Sequence, residues 1–241
     1  MITYAKISDV GSRSVNEDCV GVFEKDNSKL FVLCDGLGGH GGGEIASAIA
    51  VEATKEVFME NDLESDELFI NCLQLAQDRL HEKQRERGLV NEYKTTITLL
   101  HVYQGIVRLA HVGDSRIYTF KKHKMITRTL DHSVPQLLAS QGEIKEIDIR
   151  FHEDRNRLIR VLGGEEDTPR YTVSGGEVLH TDMRFLMCSD GFWELILEKD
   201  MCKLLKSCKT PEQWLQHMES IVKTNGAGKN MDNYSAIVIY T

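Results

Sequence analysis

The chain has 241 residues, 41% of them apolar and 27% charged. That is globular composition, with material for a core that neither disulfides nor a structural metal must hold together. Its 29 basic against 37 acidic residues leave a formal charge of −8, which argues against nucleic acid or an anionic membrane as partner and directs attention to cations.

Met1–Ser8 alternates and reads as a strand. Leu30–Cys34 is a short apolar run that meets a turn at Asp35-Gly36. Glu44–Glu60 carries Ile45, Ile49, Ala53 and Val57 on one helical face, and Asp66–Arg87 carries Phe69, Leu73, Gln77 and Leu80 at similar spacing. Thr95–Tyr103, Ile106–Val112 and Arg116–Lys121 read as a meander with turns at Gln104-Gly105 and Gly113-Asp114. The polar segment Leu130–Gly164 contains a predicted helix over Val134–Gln141. Arg184–Cys188 reads as a strand, Asp200–Ser207 and Glu212–Lys223 as helices, and Tyr234–Tyr240 as a last strand. Strands paired mostly with sequential neighbours, plus two separate helix groups, predict an α+β fold. No linker, repeat or low-complexity stretch interrupts this order, so residues 1–241 are read as a single domain.

No apolar run approaches the roughly 18–20 residues that cross a bilayer, and Met1–Val10 has no basic segment followed by an apolar stretch. The six cysteines are scattered and form no Cys-x-x-Cys pair. Free thiols in a reducing cytoplasm are therefore expected.

Three predicted strands run into a carboxylate beside a glycine: Asp35-Gly36, Gly113-Asp114 and Ser189-Asp190-Gly191. Glu17-Asp18 and Asp232-Asn233 add acidic groups near the two ends of the chain. Each Asp-Gly alone is an ordinary turn dipeptide. Carboxylates gathered at strand ends repel one another unless a cation lies among them, and oxygen donors suit Mg²⁺ or Mn²⁺. The run Gly36-Leu-Gly-Gly-His40-Gly41 also fits a dinucleotide fingerprint. Asp35 would oppose a pyrophosphate there, and a second helix rather than a second strand follows, so that reading is set aside.

Taken in order, Arg13-Ser-Val-Asn-Glu17-Asp18, Asp35-Gly-Leu-Gly-Gly-His40, Thr95-Thr96, Gly113-Asp114-Ser-Arg116, Asp131-His-Ser133, Ser189-Asp190-Gly191 and Asp232-Asn233 resemble the metal-dependent Ser/Thr phosphatases of the protein phosphatase 2C family, bacterial type. The resemblance runs from about Tyr4 to Ile239. It implies a central antiparallel β-sandwich flanked by helices on both faces (αββα). The polar segment 133–164 is read as a flap beside the site, with a plain solvated loop as the alternative. The resemblance implies hydrolysis of phosphoserine and phosphothreonine in proteins at two Mn²⁺ or Mg²⁺ ions. Asp35 would bridge the ions, Asp190 and Asp232 complete one, Glu17 and the Gly36 carbonyl complete the other, and Asp18 hold a water. Arg13 would dock the phosphate. Asp114 and Glu194 match positions tied to a third, weaker ion. The expected partners are phosphorylated proteins and a cognate Ser/Thr kinase, and the expected state is a cytoplasmic monomer.

This chain departs from the family pattern at three positions. Leu37 stands where many relatives carry an acid histidine, which leaves His40 as the candidate general acid, with water as the acid or a structural hydrogen bond for His40 as the alternatives. Glu194 replaces an aspartate, and Lys94 precedes Thr95-Thr96 where a small residue is usual. His132, Cys34, Cys188, Trp193 and Trp214 read as structural. The rival class is a pseudophosphatase, a phosphoprotein-binding module without turnover. A small-molecule phosphatase also fits the residues.

Overall fold

Two rows of side chains alternate along each central strand, and that alternation sets the architecture. The computed structural model describes residues 2–38, 42–89 and 92–241. Its strands are β1 (Thr3–Asp9), β2 (Asp18–Lys25), β3 (Ser28–Leu37), β4 (Lys94–Thr95), β5 (Ile97–Tyr103), β6 (Ile106–Val112), β7 (Arg116–Lys121), β8 (Lys124–Arg128), β9 (Thr172–Val178), β10 (Met183–Cys188) and β11 (Tyr234–Tyr240). The helices are α1 (Gly43–Glu60), α2 (Ser65–Arg87), α3 (Val134–Gln141), α4 (Asp190–Trp193), α5 (Glu198–Leu205) and α6 (Pro211–Gly226).

One antiparallel sheet runs β1-β11-β10-β7-β8. The other runs β2-β3-β5-β6-β9, with β4 beside β3. On β3, Phe31 and Leu33 face the other sheet, while Leu30, Val32 and Cys34 face α1 and α2. On β11, Ile237 and Ile239 face inward, while Tyr234, Ala236, Val238 and Tyr240 face α5 and α6. A strand buried on both faces reads as an unbroken apolar run, which is the pattern of Leu30–Cys34. The result is the αββα sandwich that the resemblance implies, with three cores in four layers. Among the described residues no helix is long and apolar enough to cross a membrane.

The structure corrects several boundaries. β3 does not stop at a turn, because Asp35 pairs with Asp18 of β2 and Gly36 with Thr95 of β4. Sheet pairing on both sides overrides the turn preference of Asp-Gly. The other Asp-Gly, Asp190-Gly191, opens α4. Strands β2, β8 and β9 fall outside the predicted set. All of β9 is exposed, so it lacks the apolar alternation that marks a strand.

Segment 133–164 folds back beside the sandwich. Ser133 caps α3, Pro135 lies in its first turn, and Gly142 closes it in the left-handed conformation. A 3₁₀ turn, Glu146–Phe151, follows. Ile149 buries against the α5–α6 core and Leu162 against the α1–α2 core. The Thr95–Leu162 bridge ties the segment to the body, and the Ser133–Leu158 bridge closes it on itself. Arg150 of this segment is buried: its guanidinium donates to the carbonyls of Trp193 and Ile196 and to both oxygens of Glu198.

Candidate active site

Parity places the first carboxylate. Asp35 continues the Phe31–Leu33 row, so it points into the gap between the sheets at its open end, and Asp18 lies opposite it on β2. Thr95 and Thr96 fix the Asp35 backbone. The Thr96 hydroxyl accepts from Asp35 N–H at 3.0 Å, and Thr96 N–H and the Thr95 hydroxyl donate to the Asp35 carbonyl at 2.8 and 2.9 Å. Gly36 must be glycine, because a Cβ there would stand 2.1 Å from the Gly43 carbonyl oxygen.

The remaining acids arrive from other strand ends. Asp190 begins α4 directly after β10, and Asp232 precedes β11. Asn233 ties the chain's two ends together. Its side chain accepts from Glu17 N–H at 2.8 Å and donates to the carbonyls of Val10 and Val15 at 2.9 Å each. Asp114 follows β6 at Gly113, whose φ of +101° suits glycine alone. The Trp193 indole N–H donates to the Asp114 carbonyl at 3.0 Å.

Electrostatics show that these groups share one field. Burial, then Asp18, Asp190, Asp114 and Asp232, push the Asp35 carboxyl well above the usual range. Burial and Asp190 do the same to Asp114. Burial is likewise the first cause for Asp18, raised to about 7, and for Asp190, raised to about 6, where Asp232 adds and a hydrogen bond with Asp35 opposes. Glu17 is raised by burial, Glu44 and Asp232. The Ser189 hydroxyl donates to Asp18 Oδ2 at 2.8 Å, while Asp18 Oδ1 is buried with no hydrogen-bond partner. Among the described residues no three His, Cys, Asp or Glu side chains already form a finished ion cage. What exists is an acidic cluster short of positive charge.

A cleft of about 800 Å³ opens over Asp190 and Asp232 and is also lined by Arg13, Phe151, Arg155 and Glu194. Arg13 is exposed and donates to Asp232 Oδ2 at 2.7 Å. Glu194 faces Arg155 at 3.1 Å, and its carboxyl is raised to about 7 by burial and Asp190 despite that arginine. His40 lies outside the described residues. The structural reading of His132 holds geometrically: Nδ1 accepts from Gly113 N–H at 3.2 Å, Nε2 meets the Thr172 hydroxyl, the ring stacks on His111, and burial lowers its pKa to about 3.

The sequence reading missed the network behind the site. Arg116 is fully buried, binds Asp131 through two hydrogen bonds of 2.8 and 2.6 Å, and lies 3.4 Å from the Trp193 ring centroid. The available signal was its place in Gly-Asp-Ser-Arg and that of Asp131 in Asp-His-Ser.

Residues 8–233 match the family model described as Protein phosphatase 2C. The chain belongs to the protein phosphatase 2C family. The serine/threonine phosphatase stp of Listeria monocytogenes is 32% identical over 239 residues, covering 94% of this chain and 90% of that one. Stp1 from Staphylococcus aureus superposes with a TM-score of 0.87 at 27% identity, covering 100% of this chain and 95% of that one. A serine/threonine phosphatase of S. agalactiae gives a TM-score of 0.86 at 25% identity over the full length of both chains. Membership in protein phosphatase 2C makes this chain a protein serine/threonine phosphatase, and the non-catalytic module is not favoured.

Proposed function

We propose that the cleft hydrolyses phosphoserine and phosphothreonine esters in proteins with two Mg²⁺ or Mn²⁺ ions held by the acidic cluster. Asp35 is shared between the two positions. Asp190 and Asp232 complete one, and Glu17 with the Gly36 carbonyl completes the other. The observation that carries this reading is the gathering of Asp18, Asp35, Asp190 and Asp232 in one field, with Asp18 Oδ1 buried and unpartnered. An all-oxygen donor set of this charge suits hard divalent cations. Bound there, the ions supply charge neutralisation and activation of water near neutral pH.

The chain's own groups do the rest. Ser189 occupies Asp18 Oδ2 and leaves Oδ1 to accept a proton from an incoming water. Arg13 presents a planar fork to the phosphate oxygens once it leaves Asp232. His40 is the proposed donor to the leaving serine or threonine oxygen. Asp114 and Glu194 serve a third, weaker ion. The segment 133–164 acts as a flap that contributes to substrate choice. The partners in this reading are phosphorylated proteins and the kinase that marks them, met by a cytoplasmic monomer.

Phosphate release from a phosphothreonine peptide tests the reading. Turnover is expected with Mn²⁺ and is expected to vanish with excess chelator. Asp35→Asn should remove at least about 99% of it while keeping a cooperative thermal transition. Wild-type turnover in Asp35→Asn at saturating Mn²⁺ would overturn the shared-ligand assignment.

A further inference from the structure

Two arginines reach into the cleft, and each rests on a carboxylate assigned above to a cation. Arg13 lies on Asp232 at 2.7 Å. Arg155 lies on Glu194, with Nε 3.1 Å from one carboxylate oxygen and 3.3 Å from the other. Arg155 belongs to a short turn between two fixed points. Arg150, before it, is buried and locked to Trp193, Ile196 and Glu198. Leu158, after it, bridges to Ser133. The backbone is thereby held while the side chain, 42% exposed, borders the open cleft.

A guanidinium fork fits a carboxylate and a phosphate equally well. A divalent cation on Glu194 and the Arg155 guanidinium would repel each other across that carboxylate, so each weakens the other's hold on it. We infer that Arg155 is a second substrate-docking arginine, held on Glu194 while the cleft lacks a cation there and handed to the substrate phosphate when a cation takes Glu194. Loading of the weakest cation position and binding of the phosphorylated substrate are then coupled through one side chain. Such coupling is reciprocal: the cation tightens phosphate, and phosphate tightens the cation. This inference rests on the proposed cation positions.

The test uses calorimetric titration of Mn²⁺, and of inorganic phosphate at two Mn²⁺ levels, one filling the tighter sites and one in excess. In the wild type, phosphate should bind more tightly at the higher level. In Arg155→Ala, the weakest Mn²⁺ site should tighten about two- to fivefold, the range an exposed ion pair supplies. Phosphate affinity in excess Mn²⁺ should fall roughly tenfold, and KM for a phosphothreonine peptide should rise with it while kcat changes less. Arg155→Lys, which keeps the charge without the fork, should fall between. Arg170→Ala, at an exposed ion pair with Glu166, should match the wild type in every measurement. Unchanged phosphate affinity and KM in Arg155→Ala would reduce the pair to a surface contact, and weaker Mn²⁺ binding would overturn the exchange. A wild type that takes up no Mn²⁺ defeats the cation assignment itself. A wild type that loads Mn²⁺ and turns over, with Arg155→Ala indistinguishable from it, defeats only the role of Arg155.

Discussion

Arg13 shows how one side chain satisfies two readings at different stages of a reaction. Its ion pair with Asp232 is solvent-exposed on both sides, and such a pair contributes about 0–1 kcal/mol to folding. A charged two-point contact with a phosphate dianion contributes about 1.5–3 kcal/mol. Arg13→Ala should therefore leave the melting temperature within about 4 °C of wild type and lower kcat/KM roughly 10- to 100-fold. Steady-state kinetics and a thermal melt on the same preparation check both halves, and an unchanged kcat/KM would return Arg13 to the ion pair alone. Asp35, Asp114 and Asp190 were legible in the sequence because each sits beside a glycine at the end of a predicted strand, while Glu17, Asp18, Asp232 and Glu194 came from the motif resemblance. The pairings Arg13–Asp232 and Arg155–Glu194 were not, since they join residues 219 and 39 positions apart.

At the scale of elements, β7, the segment 133–164 and α4 are stapled by buried polar contacts. Arg116 on β7 binds Asp131, stacks on Trp193 of α4 and donates to the Tyr118 hydroxyl, which in turn donates to Glu198; Glu198 also receives Arg150. Side chains of Arg116 and Asp131 are 2% and 1% exposed, so removing one partner strands a charge. Arg116→Met should cost about 3–5 kcal/mol, or roughly 6–20 °C in a protein of this size. Arg116→Met combined with Asp131→Leu should recover part of that loss, because removing both charges is close to neutral. Urea unfolding of the two variants decides it, and a double mutant no more stable than the single would show that the network acts through more than this pair. The sequence foreshadowed the elements themselves wherever a periodic apolar face existed, as in α1, α2, β6, β7 and β11. It missed β2, β8 and β9, and it ended β3 three residues early. Both kinds of error occur where pairing across the sheet, rather than local preference, decides the backbone.

At the scale of the molecule, acid and metal act on the same groups with opposite consequences. The carboxyls of Asp18, Asp190 and Glu194 are raised to about 7, 6 and 7 by burial first and by neighbouring acids or by lost hydration around them. Their unfolded values lie near 4, so between about pH 4 and 7 the folded chain holds more protons than the unfolded one. The metal-free protein therefore loses stability from this cluster as pH rises through that window. His101, fully buried between the Ser28 and Ser65 hydroxyls, is lowered to about 4 by burial, and its unfolded value is 6.5. Its contribution is complete above pH 6.5 and fades as pH falls toward 4. The two trends oppose each other in the metal-free protein and flatten its pH profile. A cation replaces the protons of the cluster and leaves His101 untouched, so Mn²⁺ should separate them. With about one proton displaced per ion, the rise in melting temperature on adding saturating Mn²⁺ should be about 5–10 °C larger at pH 7.5 than at pH 5.5. Parallel melts with Mn²⁺ and with chelator at the two pH values measure this difference. Asp190→Asn should shrink it, and an increment equal at both pH values would mean that the ions bind away from the raised carboxyls.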